Sequence, residues 1–117
     1  MKYALLIYQD DQQWADADAE QRAAVYAEHG AFIEMLKARN AWLGGEELAL
    51  ARTATMVRKS EDGVAVTDGP FAETHEQFGG FYLVEAADMD EALEFARALP
   101  SQSVEIRAIV ELAPVDS

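Results

Sequence analysis

The 117-residue chain predicts an α+β domain, and three observations carry that reading. Two long segments repeat their apolar residues at helical spacing, and five or six short ones have the composition or alternation of strands. The two kinds are interleaved along the chain. Only two helices serve that many strands, which places both on one face of a single sheet. The result is a ferredoxin-like layout with an inserted β-hairpin, spanning 1–117 as one domain.

Each element has its own warrant. Tyr3 to Tyr8 is a compact β-branched, aromatic and apolar run and reads as a strand. Asp10 to Asp18 is polar and acidic and reads as a loop. From Ala19 to Arg39 the period is helical, with Val25, His29, Phe32, Ile33 and Leu36 on one face and Glu28, Glu34 and Lys37 away from it. Asn40 terminates the helix, and Trp42-Leu43 start a short strand into Gly44-Gly45. Thr53 to Arg58 and Val64 to Thr67 are the arms of a hairpin, turned by Glu61-Asp62-Gly63 because Asp-Gly suits positive backbone angles. Phe81 to Glu85 is a further strand. Asp88 caps a second helix at capping-box spacing from Glu91, with Met89, Ala92, Leu93 and Ala96 as its buried stripe and Pro100 as its stop. Val104, Ile106, Ala108 and Val110 alternate with Glu105, Arg107 and Glu111, as in a half-buried strand.

The strands Tyr3–Tyr8 and Phe81–Val84 are apolar on both faces. Two helices cover one face; a second copy of the chain is the simplest cover for the other, so a homodimer is expected.

Composition narrows the function classes. Twenty-two acidic residues face nine basic ones, a formal charge of −13. Such a surface repels phosphate backbones and anionic lipid, so neither nucleic acid nor membrane is expected as a partner. Without cysteine there is no disulfide, thiolate nucleophile or Cys-type zinc site. The first apolar run is too short for a signal-peptide core, which predicts a cytoplasmic address. No paired-histidine or calcium-loop spacing, Walker or dinucleotide glycine pattern, or Gly-x-Ser-x-Gly elbow occurs. Neither metal nor cofactor is expected.

The most unusual stretch runs from Thr67 to Phe81. Asp68-Gly69-Pro70 makes a rigid turn, Gly79-Gly80 precede a strand, and Glu73, Thr74, His75, Glu76 and Gln77 lie between these anchors. A pinned loop rich in polar side chains is a place for binding residues; it also serves as a plain connection between strands. Asp68-Gly69-Pro70-Phe71, then Ala-Glu-Thr, then Glu-Gln, an aromatic residue and Gly-Gly-Phe-Tyr, resembles the DGPF branch of the YCII-related family. The likeness extends to the opening strand, the first helix, Gly45-Glu46-Glu47-Leu48, the second helix and Val104-Glu105-Ile106-Arg107. Two positions depart from it: His75 stands where lysine is common, and Ala108 where proline follows the arginine. The resemblance implies a dimeric α+β barrel, a His–Asp pair in a pocket, small-molecule chemistry, and an association with extracytoplasmic-function sigma factors.

His29 is the histidine the residues themselves single out, because a polar side chain on an apolar stripe needs a reason. Two roles stand side by side: a core histidine bonded to a backbone carbonyl, and a general acid or base oriented by a carboxylate. Asp68 is the expected carboxylate, with capping of its own turn as the alternative. Arg107 is suited to an anionic substrate group or to pairing with Glu105 or Glu85. Glu73 and His75 are placed at the same mouth, and Tyr8 is a source of a phenol. Trp14 and Trp42 read as packing. The expectation is a small-molecule-binding protein or a cofactor-independent lyase or isomerase acting on a small organic molecule, with His29 and Asp68 as the acid–base pair. Its rival is a non-catalytic, ligand-sensing regulatory partner of a sigma factor.

Overall fold

The computed structural model describes residues 1–70 and 75–112. Strand β1 (Lys2–Asp10) lies inside a four-stranded antiparallel sheet, between β5 (Glu76–Glu85) and β6 (Ser103–Ala108); β2 (Trp42–Glu47) pairs with the far side of β5. Helices α1 (Asp11–Asp16) and α2 (Ala19–Ala38) link β1 to β2, and α3 (Met89–Ala98) links β5 to β6. Each connection skips one strand, which is the ferredoxin-like arrangement expected from the element order. Strands β3 (Thr55–Ser60) and β4 (Gly63–Asp68) form a separate two-stranded hairpin.

Alternation along the strands builds the core. Tyr3, Leu5, Ile7, Tyr82 and Val84 point to one face and pack against Phe32 and Leu36 of α2 and Ala92, Phe95 and Leu99 of α3 or its end. The expected stripe of α2 holds, with Phe32 and Leu36 buried and Ile33 packed beside them. Its N-terminus carries a full capping box: Asp18 accepts from the Gln21 N–H at 2.8 Å, and the Gln21 side chain accepts from the Asp18 N–H at 2.9 Å. Asn40 ends the helix with φ 56°, the left-handed conformation asparagine tolerates. Gly63 turns the hairpin at φ 122°.

Four expectations change. The segment expected as a loop before α2 contains α1, which Asp10 caps by accepting from the Gln13 N–H at 3.0 Å. The stripe of α3 is rotated. Met89 is 46% exposed and Leu93 also faces outward, while Phe95 is 1% exposed beneath the Arg39 guanidinium. Burial of Ala92, Phe95 and Leu99 sets this rotation, and Arg39 bonds Glu91 and Glu94, both at 2.9 Å, which ties α3 to the end of α2. Asp88 caps α3, but Glu91 accepts from the Ala87 N–H rather than closing the box on Asp88. Strand β5 starts at Glu76, not Phe81, with Gly79 as the extra residue of a bulge between the Ile7–Gly80 and Tyr8–Phe78 pairs.

The opposite face of the sheet carries Ala4, Leu6, Phe81 and Leu83, cross-strand neighbours that no helix among the described residues covers. No helix of the described residues is long and apolar enough to cross a membrane.

Candidate functional site

Toward its N-terminus, α2 changes from packing to lining. Phe32 and Leu36 are buried, but His29 and Val25 are only half-buried. Here the helix and the ends of β1, β2 and β5 border a cleft of about 1050 Å³. Ile7, Val25 and Ile33 supply apolar wall; Tyr26, His29, Glu47 and Tyr82 supply polar atoms.

His29 Nδ1 lies 2.7 Å from the hydroxyl oxygen of Tyr82, a strand residue 53 positions away. The rings stack at 5.8 Å with 24° between their planes. Phe32 and Trp42 meet Tyr82 edge-on at 5.1 and 6.0 Å and restrict its ring. Gly45 completes this seat: a Cβ there would lie 2.6 Å from the Phe81 carbonyl and 2.8 Å from Tyr82 Cδ1. The bare backbone is what lets the phenol ring lie against β2.

Burial lowers the pKa of His29, and the negative charges of Glu28 and Glu47 restore only part of it. Burial raises that of Tyr82. At neutral pH the pair is a neutral imidazole and a protonated phenol. If the phenol donates to Nδ1, Nε2 carries the imidazole proton and is a donor. If Nδ1 donates, Nε2 presents a lone pair. One hydrogen bond thus links two states of opposite acid–base sense.

A second pair adjoins the first. The Tyr26 hydroxyl donates to the Glu47 carboxylate, at 2.9 and 3.1 Å from its two oxygens, and this bond chiefly raises the phenol's pKa. Trp14 of α1 meets Tyr26 edge-on at 5.6 Å, so the unexpected helix forms part of the wall. Asp11 fixes the other side of α1. Its carboxylate accepts from the Ala51 and Arg52 N–H groups and from Arg52 Nε, at 2.8 to 3.3 Å. Burial pushes that carboxyl up, but these bonds outweigh it and hold it low. Among the described residues, no three His, Asp or Glu side chains gather as metal ligands.

The residues expected from sequence fall in three places. His29, Tyr8 and His75 border the cleft. The Tyr8 hydroxyl is engaged, donating to Glu105 at 3.0 Å, and that bond is the chief cause of its raised pKa. Asp68 ends β4 opposite Thr55, and Arg107 lies on β6 opposite Ala4; neither lines the cleft. Glu73 lies outside the described residues. Tyr82, Tyr26 and Glu47 were missed, and Trp14 and Trp42 line the cleft as well as pack. Signals existed: Tyr82 shares the parity of core residue Val84, and Tyr26 precedes His29 by one helical turn.

A ferredoxin-like sheet with an open cleft between helix and strands defines a class of small α+β domains. The family model of the YCII-related domain matches residues 1–115, so the chain belongs to the YCII-related family. An uncharacterised protein of Rhizobium meliloti (strain 1021) is 37% identical over 120 residues, covering 97% of this chain and 96% of that protein.

Proposed function

We propose that the chain is a small-molecule-binding protein whose cleft supports proton transfer, as in a cofactor-independent lyase or isomerase. His29 is the acid–base group and Tyr82 its partner. The observation that carries this reading is the 2.7 Å His29–Tyr82 bond at the wall of the 1050 Å³ cleft. A neutral imidazole is ready to take a proton, and the phenol selects which ring nitrogen receives it. The acid–base role expected of Asp68 passes to Tyr82 within one chain, because Asp68 does not reach this cleft.

The site is assigned to a homodimer. A second copy would cover Ala4, Leu6, Phe81 and Leu83 and bury the hairpin, whose Val57, Val64 and Val66 are more than half exposed. The same valines favour a second reading, in which the cleft senses a ligand and the hairpin holds a regulatory partner such as a sigma factor.

A thermal-shift screen of small metabolites, followed by turnover assays on the hits, separates the readings. The enzyme reading expects a bound compound to be converted, with turnover abolished in a folded His29→Gln variant. Wild-type turnover in that variant removes His29 from the chemistry. NMR titration of the His29 ring tests the pair itself. Tyr82→Phe is expected to shift its pKa and tautomer balance, and an unchanged titration overturns the pairing.

A further inference from the structure

The walls of the cleft differ in charge from what an anionic substrate needs. Five lining residues are Asp or Glu, and among the described residues none is Lys or Arg. Arg107, the cation that the sequence offered to an anionic group, lies outside. An anion entering here would meet carboxylates without a counter-charge. The wall also carries aromatic rings, with Trp14, Tyr26, Trp42 and Tyr82 around His29 and the Glu47 carboxylate between strand and helix. Rings in this part of the molecule already attract cations. The Arg22 guanidinium lies 5.3 Å from the Trp14 ring, and Lys37 Nζ lies 5.9 Å from that of Trp42. Neither cation enters the cleft. Arg22 is held by the carbonyl oxygens of Trp14 and Ala15, and Lys37 is 3.8 Å from Glu34.

We propose that the cleft selects organic cations, such as an amine or quaternary ammonium compound, with the charge near Glu47 and the apolar body against Trp14, Tyr26 and Ile33. This rests on the cleft being a ligand site, and it names the class of ligand. Glu47 supplies the counter-charge, and Tyr26 fixes its carboxylate by a hydrogen bond that leaves lone pairs for the cation. A neutral His29 beside the ammonium adds no repulsion.

Three probes of nearly equal shape test the charge alone: choline, its neutral isostere 3,3-dimethylbutan-1-ol, and the anion 3,3-dimethylbutyrate. Binding is followed by the fluorescence of Trp14 and Trp42 and by NMR shifts of the His29 ring. Choline is expected to bind about tenfold or more tightly than the alcohol, and the acid not to bind. Glu47→Gln keeps an acceptor for Tyr26 and is expected to erase most of the preference; Trp14→Leu should weaken choline by a smaller factor. Equal or tighter binding of the alcohol or the acid overturns the cation class and leaves the His29–Tyr82 reading standing. No response to any probe also overturns it, whereas the His29–Tyr82 reading falls only if the ring titration ignores Tyr82→Phe. Full preference for choline in Glu47→Gln would show that the carboxylate is not the counter-charge.

Discussion

Leu5 and Leu6 are neighbours on one strand and belong to different environments. Leu5 is fully buried beneath the helices, in a layer with Tyr3, Tyr82 and Val84. Leu6 is half-buried on the other face, opposite Phe81 on one side and Glu105 on the other. The chain makes both faces apolar, but the helices of the described residues cover only one, and the covered face opens at one end into a cleft instead of closing. The covered face therefore accounts for stability and site together. The bare face is a surface whose energetic value depends on what is laid against it.

The largest test of that contrast is truncation on each side of one strand. Leu5→Ala is expected to cost about 2–5 kcal/mol of unfolding free energy, by urea denaturation at fixed protein concentration. Leu6→Ala should cost far less within the single chain. Equal losses would mean that both faces are equally covered. A second test charges the face that carries Leu6: if the proposed homodimer forms across it, Leu6→Asp halves the particle mass in sedimentation while leaving the circular dichroism spectrum intact. A dimer mass in that variant would move the proposed seam off this face, and a monomer mass in the wild type would remove the dimer. The helix layer has a smaller, local lever. Asp18→Ala removes the α2 capping box and is expected to cost about 1 kcal/mol, seen in the same denaturation curves.

The smallest effect is one of pH. The folded pKa of His29 is below its unfolded value of about 6.5. Its neutral form stabilises the fold fully above that value, and the contribution is lost as pH falls through the folded pKa. Melting temperatures between pH 7 and 5 should thus decline slightly more for the wild type than for His29→Gln. A steeper decline in the variant would reverse the sign assigned to the histidine.

Local chemistry wrote much of this fold into the sequence. The stop at Asn40, the cap at Asp88, the turn at Asp62-Gly63 and the alternation of β1 each depend on a few adjacent residues, and each was readable there. So was His29, as a polar side chain on an apolar stripe. The stripe of α3 was readable as well, since Ala92, Phe95 and Leu99 recur at helical spacing; the bonds from Arg39 to Glu91 and Glu94, which tie α3 to the end of α2, were decided only by the packing of the two helices. The partner of His29 was also decided by tertiary structure. The strand order places β5 between β1 and β2 and brings Tyr82 within 2.7 Å of a ring 53 residues earlier in the chain. An acid in a rigid turn looks like the better partner on paper, because sequence spacing says nothing about distance across a sheet. Only the crossing of α2 over β5, with Gly45 giving up its side chain to the Tyr82 ring, selects the phenol.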